Sequence, residues 1–477
     1  MAGFVPIFIH LGAYPIQLWD ESRMAHSAYD MFRNGFSFIP SFHGSSDLWN
    51  TKPPLLIWLQ TLSFHLFGVN EFAFRLPTAI SAMATLLVLM YWLRKTGYTV
   101  VTGLATLMML VTSRAYVGWH GSRTGDYEAL LILFLMIQIC SFHLYLFTEG
   151  RRKSDAYLDI FLISLVLAVW TKGVAGMFFA PAFVLWWLFT GKWRQEYLPG
   201  FLVKLLLTLI GVISYYVLRE FIEPGFLRSI WENELGGRYM QHLENHSAES
   251  GIYLSLLVGR GGYWVYGVIP LGILGVVIGD LKTRRNLLFL FSLAVVFLLI
   301  ITLAATKNIW YQVPLYPILA LIMAISLECA IRTLLKRLKH MKWLAVSMLA
   351  STFVLFGKPY SIVFIKTINQ TEYVENQYNM YEVTNFLRHQ IGSDTLREWT
   401  FIDMEYSAHN WWYIRRLNDE GHHIKSFIHL DSIGVGDVVL FNQAHVLDSI
   451  RTKYLSTRLN EHTAFHLLHL VGMRKTD

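Results

Sequence analysis

What most limits this chain is a succession of apolar stretches, each close to the roughly 20 residues that an α-helix needs to cross the hydrocarbon core of a bilayer. They fall at about 3 to 18, 73 to 93, 99 to 118, 127 to 148, 156 to 171, 174 to 190, 201 to 218, 253 to 279, 286 to 305, 311 to 331 and 343 to 358. Eleven such stretches leave little sequence for a water-soluble core. Charged residues make up only 15% of the 477, against about 25% in soluble domains, and 16 Trp and 24 Tyr suit helices that end among headgroups. The expected fold class is an all-α polytopic membrane protein of about eleven transmembrane helices. The first stretch is short and has no Lys or Arg before Arg23, so it reads neither as a signal peptide nor as a full span, and fits a chain whose start lies upstream.

A net charge of +7 in a soluble domain would raise nucleic acid as a partner; here the cations must first be sorted by membrane side, because short cytoplasmic loops retain Lys and Arg. Five alternate connections hold them: Arg94 and Lys95; Arg151, Arg152 and Lys153; Lys192 and Arg194; Lys282, Arg284 and Arg285; and Arg332, Lys336, Arg337, Lys339 and Lys342. Assigning these to the cytoplasm puts the loops at 19 to 72 and 219 to 252, and everything after about 360, on the outer face. No nucleic-acid partner is expected. The tail changes character: WTFIDMEY and GDVVLF read as strands, YNMYEVTNFLRHQ and AHVLDSIRTKYL as helices. The expected division is a transmembrane domain over 1–358 and an extracytoplasmic α/β domain over 359–477. Cys140 and Cys329 lie far apart in apolar runs and suggest neither a disulfide nor a metal-thiolate site.

The informative charges are those on the outer face, where topology does not ask for them. LWDESR puts Asp20, Glu21 and Arg23 where the first apolar stretch gives way to water, a depth at which charge is costly unless paired or functional. An aspartate capping a helix over 21 to 34 would look the same. WNTKPPLLIWLQ places Lys52 before a Pro-Pro helix start, at headgroup depth, where a snorkelling lysine is the plainer reading. GSRTGDYEALL sets Arg123, Asp126 and Glu128 at the outer start of the fourth span; acidic residues also favour first turns. Lys172, Arg228 and Arg238 are further outer cations. Arg260 in LLVGRGGYW and Lys307, followed by Tyr311, stand beside spans without an acidic neighbour in sequence, so each should meet an anion or a carboxylate from another loop. Carboxylates and cations gathered on one membrane face suit a lipid-linked phosphate ester whose bond must be broken.

These residues also carry a resemblance. DESR after the first span, KPPLLIWLQ in the first outer loop, a short helix ending in FG, and FRLPTAI opening the next span resemble the polytopic glycosyltransferases of the C-type (GT-C) fold. More narrowly they are similar to the group of protein O-mannosyltransferases and the lipid A aminoarabinose transferase. The similarity extends to the acidic residue before the fourth span, the TKG turn, the ENELGGRY loop, and the Lys with a following Tyr and P-x-x-P at the tenth span, about three quarters of the chain. It implies interfacial helices in the first outer loop and a polyprenyl-phosphate sugar donor in a bacterial inner membrane. Transfer would go to a hydroxyl or phosphate of a glycan, lipid or protein, with inversion. By resemblance Asp20 is the general base and Arg23 and Lys52 hold the donor phosphate. Glu21 supports Arg23 or shares the base role, Asp126 is a second acid, and Arg260, Lys307 and Tyr311 extend the phosphate or sugar contacts.

No cofactor is required by such a reaction; a divalent cation is allowed but not indicated, since His242 and His246 in QHLENH are only a pair and a site needs more ligands. Thr51 stands where the aminoarabinose group tends to have an acidic residue, which speaks against lipid A as acceptor. A transporter or flippase for lipid-linked sugars would share the membrane face but should carry ionisable or helix-breaking residues at mid-depth in several spans. A glycan ligase would share the outer site without the DESR and KPP pairing.

Overall fold

The computed structural model describes residues 3–195, 198–240, 251–369, 381–403, 405–427, 429–460 and 465–474. Seven described helices are long and apolar enough to cross a membrane: Glu71–Lys95, Glu128–Phe147, Arg151–Met177, Pro199–Ile222, Leu281–Leu303, Leu315–Arg337 and Met341–Asn369. An eighth span is available if Ile252–Gly261 and Val265–Ile278, bent 100° apart, are taken together. The chain is an integral membrane protein, but the count of eleven is not confirmed. The stretch at 3 to 18 holds only the helix Phe4–Phe8. Those at 99 to 118 and 174 to 190 hold Val100–Val111 and Ala180–Phe189, which at 1.5 Å per residue reach about 18 and 15 Å of a core about 30 Å thick. Apolar length along a sequence does not say whether one straight helix uses it.

Two compact units divide the chain: Met1–Leu11 with Ala28–Asn369, and Gly12–Ser27 with Gln370–Asp477. In the larger, Glu128–Phe147 and Leu315–Arg337 have 78% and 67% of their apolar windows buried, whereas only 6% of that of Pro199–Ile222 is. Phe221 and Val354 are 87% and 78% exposed, a surface that in water would drive association and in a bilayer meets acyl chains. The helices Glu128–Phe147 and Arg151–Lys172 form an antiparallel hairpin that carries candidate residues at its open end. Phe142 packs on Phe161 and Phe183, with ring centroids 5.0 and 4.7 Å apart. Inside it, Gln138 Nε2 donates to the Ser164 and Gly176 carbonyls at 3.4 and 3.2 Å, while Oε1 has no hydrogen-bond partner among the described residues. Gly173, at φ +60°, ends the second helix in the left-handed region that a Cβ disfavours; this is the TKG turn.

The smaller unit is the expected α/β fold. Its five-stranded sheet runs, in spatial order, His423–Phe427, Glu398–Ile402, Val438–Phe441, His466–Met473 and Tyr454–Arg458, the first three parallel and the last two antiparallel to their neighbours. Asp403 follows the central parallel strand and is buried. One oxygen, Oδ1, accepts from the Glu405 N–H and Gln443 Nε2 at 3.2 and 3.3 Å, and Oδ2 has no hydrogen-bond partner among the described residues. Burial pushes its pKa up to about 6, from about 3.9 unfolded, so ionisation costs this unit stability from about pH 4 upward, reaching its full size above about pH 6. Asp403→Asn is expected to raise amide-exchange protection of Glu398–Ile402 at pH 7.5, with the gain vanishing below about pH 4. An equal gain at both pH values would mean that the carboxylate charge is not the cause.

Candidate functional site

Lys52 is fixed by the loop that carries it. Asp47 Oδ1 accepts the N–H groups of Trp49 and Asn50 at 3.1 and 3.2 Å, turning the chain. The fully buried Arg219 then clamps the turn from below, Nη1 donating to the Asn50 carbonyl and Nη2 to that of Asp47, both at 2.8 Å. Tyr215 Oη donates to the Lys52 carbonyl at 3.4 Å, and Asn50 Nδ2 donates to Tyr127 Oη at 3.1 Å. The side chain projects from a loop whose carbonyls are taken up by other groups. Its Nζ lies 3.3 Å from Glu234 Oε1, and Thr51 Oγ1 donates to the same oxygen at 2.6 Å. The acidic partner that the sequence does not place at 51 thus arrives from the ENELGGRY loop, a π-helix over Trp231–Tyr239.

The second part is the turn before the fourth span. His120 is buried at φ 55°, a left-handed conformation uncommon outside glycine. Its Nδ1 lies 3.3 Å from Asp126 Oδ2 and 3.6 Å from Glu128 Oε2, and its ring stacks on Trp310 at 4.0 Å. Strain of this kind persists where surrounding contacts over-determine it. Gly125 makes this turn fit: an added Cβ would run into the Phe74 ring, and its carbonyl accepts from Gln60 Nε2 at 2.8 Å. Glu128 forms a buried ion pair with Lys172, at the far end of the hairpin's second helix.

Lys52, Glu128, Lys172, Glu234, Trp310 and Tyr311 line one cavity of about 120 Å³, and Leu131, Phe178, Phe297, Ile300 and Ile301 supply its apolar wall. Lys172 Nζ stands 6.0 Å from the Tyr311 ring centroid, a cation over an aromatic face. The cavity is therefore lined by both charged and hydrocarbon side chains. Of the expected phosphate contacts, Lys52 and Tyr311 meet here. Arg260 has its guanidinium engaged by backbone: Nη1 donates to the Ile309 carbonyl at 3.0 Å and Nη2 to that of Trp119 at 3.1 Å. In this structure it braces the two loops whose rings meet, His120 stacked on Trp310 and Trp119 edge-on to both. Lys307 Nζ donates to the Ala304 carbonyl at 2.7 Å, at the end of the helix Leu281–Leu303, where a cation suits the unpaired carbonyls.

Asp20, Glu21 and Arg23 belong to the smaller unit. Asp20 is exposed and opens the helix Asp20–Asn34, directly after Trp19 at φ 73°. Glu21 is buried, its Oε2 accepting the Gln17 N–H at 2.8 Å. The segment is held by the α/β domain. Tyr413 Oη accepts from the Ile16 N–H at 3.0 Å and Tyr381 Oη from that of Leu18 at 3.1 Å; Arg388 donates to the carbonyls of Gly12 and Ala13 at 2.7 and 2.6 Å. Trp19 stacks on Tyr406 at 5.1 Å, and His26 Nε2 lies 2.9 Å from the Ala408 carbonyl. The α/β tail thus seats the DESR segment. Hydrogen bonds from a charged donor contribute about 1.5–3 kcal/mol, so Arg388→Ala should speed exchange of the Ile16 and Leu18 amides by about 10- to 100-fold. Unchanged exchange would remove Arg388 from this role.

Glu234, His120 and Trp310 are the site residues that sequence reasoning missed, and the Glu128–Lys172 pair was not recognised as a pair. ENELGGRY and TKG were visible as motifs, but nothing local joins positions 52 and 234 or 128 and 172. His242 and His246 lie outside the described residues.

Comparison with known proteins bears on the class of the chain. Residues 51–217 match the family model described as dolichyl-phosphate-mannose-protein mannosyltransferase. An undecaprenyl phosphate-alpha-4-amino-4-deoxy-L-arabinose arabinosyl transferase of Erwinia tasmaniensis is 27% identical over 318 residues, 64% of this chain and 55% of that protein. One from Sodalis glossinidius is 26% identical over 319 residues, with the same shares. The chain spans about half the length of the curated relatives it matches. The crystal structure of ArnT from Cupriavidus metallidurans bound to undecaprenyl phosphate aligns over 98% of this chain and 96% of its own, with a TM-score of 0.71 at 14% identity. At that identity the likeness is one of fold, and it covers both the membrane helices and the sheet domain. The resemblance to the mannosyltransferase and aminoarabinose transferase group is shown.

Proposed function

We propose that this chain is a membrane glycosyltransferase that takes a sugar from a polyprenyl-phosphate donor and passes it, with inversion, to a hydroxyl or phosphate of a glycan, lipid or protein acceptor. The observation that carries this reading is the mixed lining of one cavity, Lys52, Lys172 and Tyr311 together with apolar side chains that include Phe178 and Phe297. A free sugar needs no such wall and a bare lipid no such charges; a lipid-borne phosphate ester needs both. The names and ligand of the relatives, arabinosyl and mannosyl transferases and an ArnT holding undecaprenyl phosphate, support the same class of donor.

In the reaction as proposed, an acceptor oxygen attacks the anomeric carbon, the bond from that carbon to the phosphate oxygen breaks, and the phosphate leaves with the electron pair. As the resemblance implies, Asp20 takes the acceptor proton and Arg23 and Lys52 hold the donor phosphate; Lys172, which lines the cavity with Lys52, adds to the charge that stabilises the leaving group. Glu128 and Glu234 hold the two lysines in place before the donor arrives, Asp126 orients His120, and Arg260 braces the loops around them. The cations that meet the leaving group are side chains, a role that requires no cofactor and leaves a divalent cation allowed. The Lys and Arg loops put the chemistry and the α/β domain on the outer face of a bacterial inner membrane.

Undecaprenyl phosphate binding to the purified full chain tests this. Charge-assisted hydrogen bonds to phosphate contribute about 1.5–3 kcal/mol, so Lys52→Ala and Arg23→Ala should each weaken binding by about 10- to 100-fold. Wild-type affinity in the Lys52→Ala variant would overturn the phosphate assignment.

A further inference from the structure

Trp19 is held at φ 73°, in the left-handed region that Asn and Gly adopt readily and where a bulky side chain is an outlier. Burial does not offset the strain, because the residue is 63% exposed and folding takes little of its ring out of water. The conformation instead sets up a contact. The indole stacks on Tyr406, ring centroids 5.1 Å apart and planes 22° from parallel, and Tyr406 meets Trp411 edge-on at 5.7 Å. The Trp19 carbonyl is fixed too, accepting from Ser22 Oγ at 2.9 Å and from the Arg23 N–H at 3.1 Å. With Tyr406 on one face of the indole, exposure of this size leaves the other face open.

The sheet places Tyr406 where ligands of open α/β sheets collect. Glu398–Ile402 continues through the helix Ala408–Asp419 to the strand on one side, whereas Val438–Phe441 continues through Ala444–Lys453 to Tyr454–Arg458 on the other. Neighbouring parallel strands whose connections leave in opposite directions form a crevice beyond their carboxyl ends. Asp403 and Gln443 stand there, joined at 3.3 Å, and Tyr406 is in the loop that leads from the first strand to its helix. Ser407 in the same loop is 5% exposed, and its Oγ, like Asp403 Oδ2, is buried without a hydrogen-bond partner among the described residues. Consecutive Cα atoms are about 3.8 Å apart, so Asp20, next to Trp19, and Glu405, next to Tyr406, start within one side chain's length of the stacked pair, and both are exposed.

We infer that this stacked pair is the platform for the acceptor, and that the acceptor presents a neutral hexopyranose ring to it. The inference rests on the glycosyltransferase reading and names the acceptor of the same site. A pyranose offers C–H groups to the negative face of an indole, and at its edge hydroxyl donors to ionised carboxylates, which accept and do not donate. An anionic headgroup would meet like charge at Asp20 and Glu405. A tryptophan that serves only as an interfacial anchor needs neither a left-handed backbone nor a tyrosine of the sheet domain against its ring. A sugar on Trp19 has the base at Asp20 one residue away and Arg23 three residues beyond that, a spacing that puts helix neighbours about 5–6 Å apart.

Saturation-transfer NMR on the full chain in phosphatidylcholine nanodiscs tests this, with maltotetraose, chitotetraose and mannotetraose as neutral probes and a Ser/Thr-rich peptide beside them. Wild type should saturate ring C–H protons of at least one sugar and none of the peptide. W19N suits φ 73° while removing the indole, so it should unfold at no lower temperature than wild type yet bind that sugar about 3- to 10-fold more weakly; Y406L should weaken it as well. W19F, which keeps a ring, should retain most of the binding, and W193L, at an exposed tryptophan in a Lys- and Arg-rich connection, should match wild type. D20N should bind the sugar as wild type does, so normal turnover in D20N would end the base assignment without touching the platform. Equal sugar affinity in wild type, W19N and Y406L would overturn the platform and leave the transferase reading standing. Saturation of the peptide alone, or of no probe, would overturn the sugar ring as the part of the acceptor that is recognised.

Discussion

Asp20→Asn should abolish sugar transfer while leaving donor binding within about threefold of wild type. The substitution keeps the size of the side chain and an oxygen that can accept from the first turn of the helix Asp20–Asn34, so the local backbone has no reason to rearrange. What it removes is the ability to take a proton. A positioned general base contributes about 10²- to 10⁴-fold, and the loss should fall on kcat, because the phosphate is held by cations elsewhere in the sequence. Trp19, strained at φ 73° immediately before Asp20, and the hydrogen bonds from Ile16 and Leu18 to Tyr413 and Tyr381 give this carboxylate an ordered setting. A steady-state assay with a polyprenyl-phosphate sugar, paired with a donor titration, separates the two effects. Normal turnover in the variant would end the base assignment. Unchanged kcat with weakened binding would instead make Asp20 a binding residue.

The second large effect concerns Lys172. It and Glu128 are 14% and 4% exposed, and removing one member of a buried pair leaves the other charged without compensation, at about 3–5 kcal/mol. Lys172→Met should therefore lower stability by about 3 kcal/mol. Glu128→Gln with Lys172→Met removes both charges and should recover most of that stability. Transfer should stay at least about 100-fold down in both variants, because the donor phosphate has lost a cation in either case. Thermal unfolding and turnover measured on the same preparations separate the outcomes. If the double variant regains turnover along with stability, the pair is purely structural and the cavity has one functional lysine, Lys52.

The membrane class, the α/β tail and the DESR and KPP segments were legible because each depends on residues close in sequence. A span is a local run of apolar side chains, a strand a local alternation, a helix start a Pro-Pro step. The span count was less legible, since the apolar runs at 99 to 118 and 174 to 190 give helices of 12 and 10 residues, and run length alone cannot show where a helix breaks. Arg260 illustrates a different limit. An arginine without an acidic neighbour in sequence does not need a bound anion when carbonyls from two distant loops, Trp119 and Ile309, can accept from it.

By itself, then, the order of residues determined that this chain lives in a bilayer, which of its charges topology does not account for, and which group of proteins it resembles. Packing alone decided which of those charges meet: Glu234 with Lys52, Glu128 with Lys172, the 12 to 27 segment with the sheet domain rather than with the helices that flank it in sequence. The reason is physical. Hydrophobic length is set within one helix, whereas an ion pair in an apolar medium is stable only where two distant helices bring its halves together, and no spacing along the chain records that meeting.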